Sequence, residues 1–276
     1  MSALLDCSDV DLLRTAQAVY DIPSLAAWRA AELKALRHLS FAPPVLEIGC
    51  GNGRFASLLL PHVDWGVDVN PREVALCARN NGTYHRVRCM DARRLIFADG
   101  VFSTVFANCV IEHIPDLSRV LKECRRVLRE GGVFIATVPL IEMNRHLLLE
   151  SRWYSRLRAT QLQHHHLLAE AAWLDALSRA GFFSVRITPY LPARLCELWD
   201  RVDGPLSLGA GPLTLGRAYR LALRLLPVSW RSRLNLQWRQ YFIEALQVNP
   251  SETPCAILIE ASVLPTPGGS LRQPAI

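Results

Sequence analysis

The chain has 276 residues, half of them hydrophobic, with 31 basic against 25 acidic side chains and a formal net charge of +6. That length suits one large domain or a domain with an appendage, no apolar run reaches the roughly 18 residues of a membrane-crossing helix, and so modest a charge does not by itself indicate nucleic acid. The first ten residues carry Asp6 and Asp9 and no early positive charge, which argues against a secretory signal, and eight cysteines without a C-x-x-C pair suit free thiols in a reducing, cytoplasmic setting.

From Asp9 to Leu39 the chain reads as two helices, the first capped by Asp9 and the second by Ser24 after Pro23, with Ala26, Ala27, Ala30, Leu33 and Leu36 on the packed face. Behind Pro43-Pro44, the run from Val45 to Ile48 reads as a buried strand. Glu47 lies inside it, and a carboxylate there needs a partner, which a cationic or hydroxyl-bearing ligand would supply. Gly49, Gly51 and Gly53 follow, and then a helix from Phe55 to Leu60. Glycines let backbone approach a ligand closely, and the free N–H groups of a helix start face the same spot. The alternate glycines depart from the G-x-G-x-x-G of a dinucleotide site. A second strand, 63–69, leads to Asp68, nineteen positions after Gly49. At that distance in a βαβ unit an acid accepts hydrogen bonds from ribose hydroxyls. Asn70-Pro71 opens a helix to Arg79. A third strand, 84–89, precedes Met90-Asp91-Ala92. A fourth, 101–111, runs into Glu112-His113-Ile114-Pro115. Asp116 or Ser118 then opens a helix that Gly131-Gly132 ends. Strands follow at 133–138, 183–188 and 255–263, with a helix over 167–180. This alternation predicts a doubly wound α/β sheet with ligands at its carboxy ends.

The E-x-G-x-G-x-G run at Glu47–Gly53, the E-H-I-P-D run at Glu112–Asp116, the Gly-Gly before the fifth strand and the Gly181-Phe182-Phe183 turn together resemble the class I S-adenosylmethionine-dependent methyltransferases, most closely over Val45 to Pro139. The resemblance implies a Rossmann-like sheet of seven mostly parallel strands. With it the chain divides into an N-terminal helical cover (1–42), a core (43–189), a helical insertion (190–253) where the resemblance stops and a hairpin would need only a few residues, the last core strand (254–264) and a flexible tail (265–276) marked by Gly268-Gly269 and Pro274. It also implies S-adenosyl-L-methionine as cofactor. Glu47, Gly49 and Gly51, with Cys50 between them, would line its aminoacyl and ribose side. Asp68 would hold the ribose, Asp91 and Ala92 would meet the adenine, and Asn108 and Cys109 would lie beneath the methionine part. Tyr20 and Trp28 are candidates to cover the pocket.

Methyl transfer from a sulfonium is an in-line displacement, so the protein must align the reactants and exclude water. A hydroxyl acceptor also needs a base, and His113, at the end of the fourth strand, is the candidate. Cys109 stands where the E-x-x-E-H variant of the family has its first glutamate, so no metal is expected. The three histidines at 164–166 point in different directions, so they do not make a metal site by themselves; the resemblance, in which a His stands just before the following helix, implies that one of them faces the substrate from a surface loop. The function implied is methyl transfer, at oxygen, to a small-molecule, glycan or lipid-linked acceptor, with no nucleic acid. A non-catalytic scaffold of the same fold and an NAD-dependent oxidoreductase are the alternatives. In the insertion, Arg217, Arg220 and Arg224 fall on one helical face and Leu215, Ala218, Ala222, Leu225 and Leu226 on the other. The expected packing sets the apolar face on the sheet domain and leaves the arginines in solvent. Peripheral contact with an anionic membrane and binding of an anionic substrate are the other readings.

Overall fold

The computed structural model describes residues 4–79, 82–210, 213–248 and 252–263; the predicted tail at 265–276 lies outside them. Strands β1 (Val45–Ile48), β2 (Val63–Asp68), β3 (Tyr84–Cys89), β4 (Phe102–Asn108), β5 (Leu128–Pro139), β6 (Ser184–Leu191) and β9 (Ala256–Ser262) form one sheet in the order β3-β2-β1-β4-β5-β9-β6. The pairs from β3 to β5 are parallel, and β9 runs antiparallel between β5 and β6. The expected seven-stranded, mostly parallel sheet is therefore present. Strand order reverses between β1 and β4, and a crevice opens at such a switch point, beyond the carboxy ends.

The helices follow from local sequence. α1 (Asp9–Val19) is capped by Ser8 rather than Asp9: the Ser8 hydroxyl accepts from Asp11 N–H while the Asp11 carboxylate accepts from Ser8, a reciprocal box. α2 (Pro23–Leu36) begins with Pro23 at its first position and has no side-chain cap; Ser24 bonds to Asp203 instead. α3 (Arg54–Leu59) and α4 (Pro71–Arg79) follow β1 and β2. α5 (Leu117–Val127) is capped by Asp116, which accepts from Arg119 N–H. It ends two residues sooner than the glycine pair suggests, because Leu128 is already extended and begins β5, so Gly131 and Gly132 lie within the strand, the first at φ +68°. α6 (Arg152–Leu162) and α7 (Glu170–Arg179) precede β6.

Two cores sandwich the sheet. β4 is buried along its whole length, and its alternation sends Phe106 to one side and Val105 and Ala107 to the other. Leu13, Leu33, Leu36 and Trp199 join Phe106. Val120, Leu121, Trp173 and Phe134 form the opposite layer. Between β6 and β9 the chain makes α8 (Ala193–Leu206), a ribbon of β7 (Gly209–Ala210) and β8 (Leu213–Thr214), α9 (Leu215–Leu225) and α10 (Val228–Ile243). Its root is fixed in register: Leu191 and Pro139 both pair with Ala256. The excursion thus leaves and re-enters the sheet beside the carboxy end of β5, the edge on which the crevice opens.

Candidate functional site

The glycine turn after β1 needs left-handed backbone at Gly49 (φ +69°), Gly51 (+50°) and Gly53 (+77°). At Gly49 a Cβ would also lie 2.4 Å from a Val110 methyl, so the turn packs directly against the segment after β4. The Asp68 carboxylate, at the end of β2, accepts from Gly51 N–H (2.9 Å) and Asn70 N–H (2.8 Å). These bonds fix it on the wall of a cavity of about 350 Å³, which Gly49, Met90, Asp91, Ala92 and His113 also line. Apolar Met90 and Ala92 flank Asp91, whose carboxylate is held by Arg93 through contacts of 2.7–3.0 Å. That hydrogen-bonded guanidinium lowers the Asp91 pKa. Gly49, Asp68, Asp91 and Ala92 are therefore brought to one cavity. The cavity is on the scale of small-molecule sites, with a carboxylate for hydroxyl groups and apolar walls for a ring.

Glu47, Cys50, Gly51 and Asn108 are not on that wall. The Glu47 carboxylate has a partner within the fold, accepting from the Tyr84 hydroxyl of β3. Burial pushes the Glu47 carboxyl up to about 7 despite that bond. Cys50 is buried in the core, and Gly51 contributes its N–H to Asp68. Asn108 donates to Glu32 (2.8 Å) and accepts from Thr137 (2.9 Å). Sequence reasoning missed Glu32. It lies fully buried on α2 and accepts from Trp28 Nε1 (2.9 Å), Arg29 (2.6 Å) and the Cys109 thiol (3.0 Å) as well. The available signal was one acid, four residues after Trp28, in an alanine-rich helix. Cys109 itself takes φ +48°, a left-handed conformation rare for a residue with a side chain.

His113 also lines a second cavity, of about 290 Å³, with Trp28, Arg29, Glu112, His164 and Trp199. The two indoles pack against each other at 5.0 Å between centroids, tilted by 60°, and Arg220 of α9 reaches the same wall. His113 Nδ1 lies 3.1 Å from the Gln163 carbonyl. A carbonyl can only accept, so Nδ1 carries the proton and Nε2 keeps its lone pair. Nε2 faces Glu112 Oε1 at 3.7 Å. Burial lowers the His113 pKa, so the ring is neutral at pH 7. Burial, with His113 beside it, takes His164 down to about 4. Burial also raises Glu112 to about 8. Among the described residues, Glu112 Oε2 and His164 Nδ1 are buried without a hydrogen-bond partner. Of the three consecutive histidines only His164 lies on the cavity wall; the His165 and His166 amides donate to the Glu112 carbonyl. Glu112, His113 and His164 bring ligand-type atoms within 4.8 Å of one another, a grouping that could hold a divalent ion; the missing glutamate at Cys109 thus leaves three ligand-type side chains together, His164 being the third.

These shifts set a pH dependence of stability. The folded chain retains a proton on Glu112 up to about 8 and on Glu47 up to about 7, whereas both release it near 4.5 when unfolded. Each therefore makes stability fall as pH rises from 4.5 through its folded value. His164 acts in the opposite sense, but only below 6.5. Across pH 6.5–8 the Glu112→Gln variant should lose a decline of about 1 kcal/mol per pH unit. Urea unfolding at the two ends of that window measures it, and an equal decline in the variant would refute the assignment.

Residues 46–136 match the family model described as a methyltransferase domain. A Mycobacterium tuberculosis protein described as a probable S-adenosylmethionine-dependent methyltransferase is 36% identical over 100 residues, which are 36% of this chain and 36% of that protein. The chain thus matches about a third of the length of such curated relatives. Among solved structures, a Thermotoga maritima SAM-dependent methyltransferase aligns with a TM-score of 0.53 at 20% identity, over 84% of this chain and 88% of that one. Phosphoethanolamine N-methyltransferase 2 of Haemonchus contortus, in complex with S-adenosyl-L-methionine, aligns at 0.55 and 20% identity, over 87% of this chain and 52% of the other. At these identities the structures share the fold.

Proposed function

The chain carries a class I S-adenosylmethionine-dependent methyltransferase domain, and from that premise we propose that it transfers a methyl group from S-adenosylmethionine to an acceptor bound in the cavity that Trp28 and Trp199 line. One observation carries this reading: His113 stands on the wall common to both cavities. The first cavity suits the cofactor, with Asp68 on the ribose hydroxyls, Asp91 near the adenine amino group, Met90 and Ala92 against the ring, and Gly49 giving close backbone approach. Bound there, the cofactor supplies a methyl group on a sulfonium, which needs no further activation.

The residues of the second cavity do the rest. The indoles and the apolar wall orient the acceptor and keep water out. Neutral His113, its Nδ1 proton held by Gln163, offers Nε2 to an acceptor hydroxyl and takes the proton released as oxygen is methylated. Arg29 is occupied by Glu32, which leaves Arg220 as the cation at the mouth for an anionic group on the acceptor. The segment 190–253 acts in this reading as an acceptor cap, through Trp199 of α8 and Arg220 of α9, and the acceptor is a small molecule, glycan or lipid-linked compound with apolar and anionic parts. No metal is required, since the leaving group is already cationic.

The test is a search of cell extracts for a product one methyl group heavier, made with S-adenosylmethionine labelled in its methyl group. Label transfer that survives a chelator supports the whole reading. Transfer lost with chelator and restored by a divalent ion would reassign Glu112, His113 and His164 to a metal. Cofactor binding without labelled product in any extract would favour a non-catalytic scaffold.

A further inference from the structure

The sequence pattern of α9 predicts an apolar face turned inward, and the structure turns that face outward. The side packed on the protein is set by Gly216, which is buried so tightly against α8 that a Cβ would lie 3.0 Å from the Leu206 carbonyl oxygen. Leu215, Leu221 and Leu225, on the opposite side, are 54%, 62% and 80% exposed. Leu208 joins Leu215 and Leu221 along one shallow apolar groove, and Val228 and Trp230, at the start of α10, are exposed as well. An exposed apolar stripe of this kind marks an interaction surface.

Its surroundings say what kind. From Thr214 to Gln240 there are six arginines and no acid, leaving 25 basic against 25 acidic residues elsewhere, so the chain's net +6 resides in this segment. Arg220, Arg224 and Arg231 line one cleft between α1, α9 and α10, with Asp21 the acid on its wall. Among the described residues these three arginines make no ion pair with a carboxylate. Arg239 is turned away, bonding to Gln17 of α1. Leucines and a tryptophan bordered by arginines form the two-part surface of a helix lying in a lipid interface, where apolar groups enter the acyl boundary and cations meet anionic headgroups. No described helix is long and apolar enough to cross a membrane.

We infer that the outer face of α9 and the start of α10 dock on an anionic phospholipid bilayer. Leu215, Leu221, Leu225 and Trp230 insert, and Arg224 and Arg231 hold lipid phosphates. Arg220 belongs to both the arginine cleft and the second cavity, so docking sets the mouth of that cavity against the lipid surface. The docking itself does not depend on methyl transfer.

The test is sedimentation of the full chain with vesicles of phosphatidylcholine alone and of phosphatidylcholine mixed with phosphatidylglycerol. Binding is expected only to the mixed vesicles and should weaken as salt is raised. The double variant L221D/L225D should not sediment, and Arg224→Ala should bind roughly fivefold more weakly. Thermal unfolding and S-adenosylmethionine titration of each variant identify folding failures, so lost docking is distinguishable from lost cofactor binding. The inference is overturned if the protein ignores mixed vesicles at low salt, or if a folded L221D/L225D variant binds them as the wild type does. It is equally overturned if the wild type is a dimer that this variant dissociates while neither protein binds vesicles, because the face would then join two copies of the chain.

Discussion

His113→Ala should lower turnover by roughly 10²–10⁴-fold while the protein still binds S-adenosylmethionine. The alanine removes the Nε2 lone pair from the acceptor side and leaves the Asp68, Asp91 and Gly49 wall in place. Burial lowers the His113 pKa below its ordinary 6.5, so with this ring as the base the acid limb of kcat/KM should lie below pH 6.5. In the variant that limb should vanish along with most of the rate. A variant with near-normal turnover and an unchanged pH profile would leave alignment and the sulfonium to carry the reaction, and His113 would be only part of the wall between the cavities.

Glu32→Ala should cost about 3–5 kcal/mol of stability, the range for removing one partner of a buried ion pair. Glu32 is fully buried and receives the Trp28 indole N–H, Arg29, Asn108 and Cys109 together. Its loss leaves Arg29 charged without its carboxylate and three further donors without an acceptor. The damage should be local in kind, because Asn108 ends β4 and Cys109 follows it, while Trp28 and Arg29 line the second cavity. Thermal melts should show a drop on the order of 10 °C, with Glu32→Gln intermediate because it keeps acceptor and shape. An unchanged melting temperature for Glu32→Ala would mean that helix packing alone joins α2 to the sheet.

The contrast between Asp68 and Glu32 shows what the sequence makes legible. Asp68 stands at a fixed distance from Gly49 in a βαβ unit, and local chain geometry alone carries it to the cavity edge. The turn, the strands and Asp91 are readable for the same reason. Glu32 meets Asn108 across 76 positions, and no periodicity reports which buried donor an acid will find. The same limit hid Tyr84 as the partner of Glu47. It also hid Arg158, which sits beneath Trp199 with Asp200 Oδ1 at 2.7 Å and Asp203 Oδ2 at 2.6 Å, tying α6 to α8. Three histidines in a row announce a special loop, but only the fold shows that His164 turns to His113. On α9 the helical wheel separates the arginines from the apolar face but misses the packed side, because a glycine, with no hydropathy signal, makes the closest contact.

The most direct test of the account is calorimetric titration of the full chain and its Asp68→Ala variant with S-adenosylmethionine, beside NADH. The wild type should bind S-adenosylmethionine at one site and ignore NADH. The variant should bind the same ligand about 1.5–3 kcal/mol more weakly, having lost a charged acceptor of the ribose hydroxyls. Equal affinity in the variant would contradict the ribose assignment. Binding of NADH in place of S-adenosylmethionine, or of neither, would contradict the cofactor reading itself.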